Sequence, residues 1–324
     1  MFVEAGRIRW NSTGASKKGG SMGQPFKRVK WTTRTGDLLF SYALMAPALI
    51  VLALVVFYPM IKGIFVSFCD YTFKCLNNPQ WNSFGNYKKI FESNAFLHYL
   101  GNTVLYVGGT VTSQFILAMV LALLLNTDIK GRRMFRSLFL MSWTIPTIVV
   151  SILWSWLLQP QYGLFNYVLH SLNLIKDPNM QWLSNPDFAM GGVILAMVWK
   201  QAPYMIIMIL AGLQAVNTDL LDAAAIDGAS YLRTFIHVVL PSIAVVLGTT
   251  VIISVLDAFQ QFTIIFNMTA GGPLKKTTTL SIAAYKEAFT HYDLGAGSAI
   301  GVIWMIILST ITIIFNVKSK RLEE

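Results

Sequence analysis

The chain has 324 residues, of which 55% are hydrophobic and only 12% charged. Soluble domains carry about 25% charged residues, so the composition excludes an ordinary soluble enzyme and points to a polytopic membrane protein. The formal net charge is +10, but the basic residues gather beside apolar runs, which argues for a topology signal and against a nucleic-acid surface.

Residues 1–36 form a basic tail with Arg7, Arg9, Lys17, Lys18, Lys27, Arg28, Lys30 and Arg34. The tail lacks a short apolar core followed by a cleavage site, so it is not read as a secretory leader. Apolar runs long enough to cross a bilayer, about 20 residues each, follow at 38–68, 98–125, 138–158, 189–211, 242–266 and 298–316. They predict an all-α membrane protein with six transmembrane helices. The first run is interrupted at Pro47 and again at Tyr58-Pro59, with an interfacial turn expected near Asp37. Prolines are tolerated in membrane helices whose neighbours satisfy the freed carbonyls. Cys69 and Cys75, near the outer end of that run, are too few for a disulfide framework and read as two thiols, with one external disulfide as the alternative.

Orientation follows from Lys and Arg. Besides the tail, one side of the membrane receives Lys130, Arg132, Arg133 and Arg136, then Arg233, then Lys318, Lys320 and Arg321. The other side receives Lys74, Lys88, Lys89, Lys176, Lys275, Lys276 and Lys286. The richer side is the cytoplasmic one, so both termini are expected inside. The boundaries that result are a tail at 1–36, a transmembrane domain at 37–317 and a cytoplasmic C-terminal tail at 318–324.

Between the fourth and fifth spans lies a cytoplasmic segment, 217–241, with an unusual design. Asn217 or Thr218 can cap a helix start, and Asp219 and Asp222 suit its positive end. Ala223, Ala224 and Ala225 form helix with little bulk. Gly228 supplies the left-handed residue that ends a helix. Ser230 can cap a second helix showing Leu232, Phe235, Ile236 and Val239 on one side, before Pro241. The product is a short bent helical pair that another protein could grip.

Charges inside a bilayer are costly, so Lys200, in Trp199-Lys200-Gln201 ahead of Pro203, is the leading intramembrane candidate. A structural ion pair with Asp257 is the competing role. Ser254, Asp257, Gln260 and Gln261 form a polar stripe at helical spacing on the fifth span. A ligand rich in hydroxyls needs such donors and acceptors, with aromatic faces such as Trp199, Tyr204 and Phe262 against its C–H surfaces. Helix–helix hydrogen bonding is the plainer use of the same residues. Asn102, Tyr106 and Thr110 make a similar stripe on the second span. Gly297 and Gly301 suit close helix packing. The loop Thr269-Ala270-Gly271-Gly272-Pro273 is expected to be flexible and external. There is no GxxxxGK[ST] phosphate loop, the four histidines are scattered and suggest no metal site, and no catalytic arrangement emerges.

Asp222-Ala223-Ala224, Asp227-Gly228-Ala229, Phe235 and Leu240-Pro241 resemble the cytoplasmic coupling motif of binding-protein-dependent ABC importers. Asp222 departs from the usual Glu, and Asn217 from a common Pro. Further stretches, among them Ala46-Pro47-Ala48, Gly85-Asn86-Tyr87, Leu123-Leu124-Leu125-Asn126, Ala211-Gly212-Leu213-Gln214 and Gly271-Gly272-Pro273, are similar to the carbohydrate-uptake, maltose-type permeases. The resemblance covers residue 38 to the C-terminus. It implies a bacterial inner-membrane permease subunit for a sugar or oligosaccharide, with an anionic uronate of the alginate type suggested by Lys200. It implies coupling through Asp222, Ala223, Ala224, Asp227, Gly228 and Ala229 to two ATPase subunits, which would hold ATP and Mg. A second homologous permease and an extracytoplasmic binding protein complete the expected partners, and no cofactor is expected in this chain. The alternative is a stand-alone secondary carrier or channel, but no internal repeat of that design is evident.

Overall fold

The computed structural model describes residues 34–73, 79–128 and 130–323, with the side chains of 34–37, 39 and 318–323 outside that description. Most of the basic tail, Lys74 and Cys75 thus lie outside the described residues. The chain divides into two units at Phe57/Tyr58. The first unit holds α1 (Arg34–Leu52) and a π-helical turn at Ala53–Phe57. Pro47 sits inside α1 without ending it. The irregularity comes instead at the π turn, just ahead of Tyr58-Pro59.

The second unit begins with α2 (Tyr58–Ser67) and a two-residue hairpin, β1 (Cys69–Asp70) against β2 (Gln80–Trp81), paired Cys69 with Trp81. This hairpin is the only sheet among the described residues. Asn86, on α3 (Gly85–Glu92), ties it down by donating to Ser67 O at 2.9 Å and Cys69 O at 2.8 Å. Cys69 is buried.

The long elements follow: α4 (Asn94–Asn126), α5 (Arg132–Thr144), α6 (Thr147–Leu157), α7 (Leu164–Ser171), α8 (Ala189–Gln214), α9 (Thr218–Ile226), α10 (Tyr231–Thr234), a π turn (Phe235–Val239), α11 (Leu240–Ser242), α12 (Ala244–Gln260), α13 (Thr263–Thr269), α14 (Leu280–Tyr285), a π turn (Lys286–Thr290) and α15 (Leu294–Glu323). Four helical runs are long and apolar enough to cross a membrane: Phe40–Ser67, Asn94–Asn126, Ala189–Gln214 and Leu294–Val317. Two further candidates are bent pairs. Arg132–Thr144 and Thr147–Leu157 meet at 99°, and Tyr231–Ser242 meets Ala244–Gln260 at 68°.

The third expected span, 138–158, is therefore a corner and not a rod. Ile145 precedes Pro146 and is extended at φ −68°, ψ 132°, as the ring of a following proline demands. The fifth expected span, 242–266, stops at Gln260, because Gln261 is extended at ψ 125°. Residues 263–269 turn away as α13.

The core centres on α4 against α8. Ala118 and Ala122 on α4 are fully buried, as are Met205 and Ile209 on α8. Small alanines let the backbones approach where van der Waals contact replaces a hydrophobic drive. A Cβ on Gly109 would lie 2.8 Å from Ile194 Cδ1, so that glycine sits in the same close packing, and a side chain there would displace the end of Ile194. Gly297 plays this part on α15, where a Cβ would lie 2.7 Å from Ala288 Cβ, while Gly301 faces open space.

The loop at 269–273, expected to be flexible, belongs to a cross-bonded segment that runs to 280. Thr278 Oγ1 donates to Gly271 O at 2.7 Å and Thr277 Oγ1 to Gly272 O at 2.8 Å. From α4, Asn102 Nδ2 donates to Lys275 O at 2.9 Å and Thr278 O at 3.0 Å, and Thr103 Oγ1 accepts from Leu280 N at 2.9 Å. Asn102 thus fastens this segment to the bundle.

Candidate functional site

A cavity of about 200 Å³ lies where α4, α5, α8 and α12 converge. Gln114 comes from α4, Trp143 from α5, Gln201 and Tyr204 from α8, and Ser254 and Asp257 from α12. Residues three apart share a helix face, which brings 201 with 204 and 254 with 257. Gln201 Nε2 donates to Asp257 Oδ2 at 2.6 Å. Gln201 Oε1 is buried with no hydrogen-bond partner, and so are Tyr106 OH and Thr110 Oγ1 on the α4 face that leads to Gln114. Tyr106 lies within electrostatic reach of Asp257. Trp143 and Tyr204 stack with ring centroids 5.9 Å apart and planes 26° off parallel. The cavity therefore has one aromatic wall and one wall of oxygen acceptors, a pairing suited to a ligand with C–H faces and hydroxyl edges.

Of the six residues expected on the path, Tyr204 and Asp257 share this cavity. Lys200 stands behind its wall, 8% exposed, with Nζ donating to Trp143 O at 3.4 Å. The ion pairs among the described residues are Lys88–Glu92, Arg132–Asp128 and His291–Glu287, so Lys200 and Asp257 do not form one. Trp199 points elsewhere, since consecutive helical residues diverge by about 100°. It borders an apolar hollow with Leu138 and Pro203 and meets Trp154 edge-on at 6.1 Å. Gln260 is exposed and borders a larger cleft with Trp304 and Ser309. Gln261 has left the helix, and its carbonyl accepts Ser281 Oγ at 2.9 Å. Phe262 stacks on Phe266 at 4.9 Å, also outside the cavity. Sequence reasoning overlooked Gln114, Trp143 and Gln201 as candidates. Gln114 continues the Tyr106–Thr110 spacing by one more turn and was findable. Trp143 lies on α5, ahead of the corner at Pro146, and the continuous apolar run at 138–158 hid that corner.

The 217–241 segment is built much as its residues dictate. Asn217 caps α9, its Oδ1 accepting from Asp219 N at 2.9 Å. The far end closes around Gly228 at φ +69°. Gly228 N donates to Ala225 O at 3.1 Å and Ala229 N to Ala224 O at 3.0 Å, the paired bonds of a Schellman cap. Ala224 is buried, Ala229 half-buried, and Asp222, Ala223, Asp227 and Gly228 are exposed. Ser230 stands at the start of the second helix without a side-chain capping bond. That helix divides its apolar residues, because the π turn shifts their phase: Phe235 and Val239 are half-buried, while Leu232 and Ile236 face out. Leu220, Ile226 and Tyr231 are also outward, Ile226 at 87% exposure and Tyr231 at 78%.

A mostly helical polytopic membrane protein, with a cavity between its helices that carries a few polar groups and an exposed two-helix loop, is the class that this architecture defines. The chain belongs to the family of binding-protein-dependent transport system inner membrane components, whose model matches residues 114–321. It is 31% identical over 288 residues to the sulfoquinovosyl glycerol transport system permease protein SmoG of Agrobacterium fabrum, covering 88% of this chain and 92% of that one. It is 33% identical over 275 residues to the trehalose/maltose transport system permease protein MalF of Thermococcus litoralis, covering 85% and 91%. Its fold is similar to a chain in the crystal structure of a bacterial ABC transporter involved in the import of the acidic polysaccharide alginate. That TM-score is 0.75 at 22% identity, over 90% of this chain and 98% of the other.

Proposed function

We propose that this chain is one of two permease subunits of an ATP-driven importer for a sugar or oligosaccharide. In this reading the four helical runs and two bent pairs make six spans, with both termini and the 217–241 segment in the cytoplasm. Two ATPase subunits bind that segment and hold ATP and Mg. A second permease completes the path, and an extracytoplasmic binding protein delivers the sugar. Closure of the ATPase pair moves the α9–α11 segment, and the 68° bend to α12 carries that motion to the helix bearing Asp257. Rigid elements with two arrangements are the usual carriers of such coupling.

The observation that carries this reading is the loop itself. It is capped at both ends of α9 by its own side chains and backbone, yet it turns Leu220, Ile226, Tyr231 and Leu232 to solvent. A segment that is locally rigid and apolar on its outer surface is equipped to dock. The sugar class is supported by the aromatic and acceptor walls of the cavity and by the named relatives. An anionic oligosaccharide would need Lys200 to leave the Trp143 carbonyl and enter the cavity. Lys200→Gln tests that variant, which requires uptake of acidic sugars to fall more than uptake of neutral ones.

The test of the main reading is purification in mild detergent from native membranes with mass spectrometry of what stays bound. An ATPase and a second permease are expected, with ATP hydrolysis stimulated by sugar-loaded binding protein. A stable lone polypeptide that catalyses uptake without ATP would overturn it in favour of a secondary carrier.

A further inference from the structure

We infer that Asp257 is the charge filter of the cavity, admitting uncharged polyhydroxyl groups and opposing carboxylated or sulfonated ones. The inference rests on the importer reading above. The cavity wall opposite the stacked Trp143 and Tyr204 presents acceptors. Asp257 lines it with Oδ2 already engaged by Gln201 at 2.6 Å, and Gln201 Oε1 has no partner. A sugar hydroxyl brings a hydrogen to donate and suits such a wall. A carboxylate or sulfonate only accepts, and it meets a like charge.

The nearest cation does not reverse this. Lys200 lies within electrostatic reach of Asp257, but its ammonium is turned to the Trp143 carbonyl at 3.4 Å and does not line the cavity. The two residues form a dipole whose negative end borders the cavity and whose positive end is buried in protein. Ser254 and Gln114 complete the lining without charge. The filter is thus a property of orientation, and it inverts if the carboxylate alone is neutralised.

The test uses the assembled importer in proteoliposomes with one binding protein throughout. ATP-driven uptake is measured for a neutral oligosaccharide and a uronate-bearing counterpart that the binding protein accepts. Asp257→Asn keeps the shape and can still accept from Gln201 Nε2. It is expected to lower the neutral-to-acidic uptake ratio by at least about tenfold, the lower end for one like-charge contact in a partly solvated site. Lys200→Gln is expected to raise that ratio severalfold, because the carboxylate then acts alone. An unchanged ratio in Asp257→Asn, with wild-type uptake intact, overturns the filter and leaves the importer reading standing. No ATP-driven uptake of either sugar by the assembled wild type overturns both. If Asp257→Asn does not assemble, Asp257→Ser takes its place, and an unchanged ratio in it overturns the filter.

Discussion

Gly228 offers a clean perturbation, because the cost of replacing it is confined to the backbone. A Cβ built there meets nothing within 4 Å, so crowding contributes nothing. The residue is held at φ +69°, where an L-residue costs about 1–2 kcal/mol. That energy lowers the population of the closed cap by roughly 5- to 30-fold. Gly228→Val adds the χ1 restriction of a β-branched side chain and should exceed this. Gly228→Asn should cost little, since asparagine tolerates the left-handed cap. The segment is exposed, so the permease should keep its own melting temperature in Gly228→Ala, Gly228→Asn and Gly228→Val alike. The assay is retention of the ATPase during purification, with titration of ATPase onto the immobilised permease. The expected order of affinity is glycine, asparagine, alanine, valine. Full ATPase retention by Gly228→Val would refute the cap argument. An asparagine variant as weak as the valine one would also refute it, by showing that side-chain volume against a partner, and not backbone strain, requires the glycine.

Asn102→Leu removes both bonds from α4 to the 269–280 segment and leaves the carbonyls of Lys275 and Thr278 without this donor. Each buried group so stranded costs about 1–3 kcal/mol, so the detergent-solubilised protein should melt several degrees lower and gain a protease site within 269–280. Unaltered melting and cleavage would mean that the amide is not a fastening. Asn217→Ala removes the α9 cap at about 1 kcal/mol, so ATPase affinity should fall about fivefold, less than in Gly228→Val. A larger loss than the valine variant shows would place Asn217 in contact with the ATPase.

What was legible in the sequence is what is decided locally. Asn217, the alanine run and Gly228 specify a capped, terminated helix within a dozen residues, and the structure builds it as the residues read. The existence and place of α4, α8 and α15 were legible for the same reason, since an unbroken apolar run has one helical solution in lipid, though α15 extends well past its apolar run. The corner at Ile145-Pro146 was not legible, because hydropathy counts apolar residues and is indifferent to direction. The residue before a proline held the clue. The polar stripe on α12 was half legible. Asp257 keeps its place, but Gln261 leaves the stripe because the helix ends at Gln260, six residues before the apolar run does. Lys200 exposes a deeper limit. Sequence gives its depth in a span, and only the packing of Trp143 decides whether its ammonium meets a cavity or a carbonyl.

The bonds from Asn102 also set a schedule for biogenesis. Their acceptors lie 173 and 176 residues downstream. At about 5–20 residues per second of synthesis, those acceptors emerge roughly 10–35 s after the amide does. Throughout that interval α4 is a membrane helix with a free carboxamide in its N-terminal third, and the second bond set, at Thr103, is equally incomplete. The helix therefore enters the bilayer with an unfilled polar site that the last portion of the chain must close. A nascent chain arrested before residue 280 would present that site to the insertion machinery, which makes Asn102 a marker by which an unfinished subunit differs chemically from a finished one.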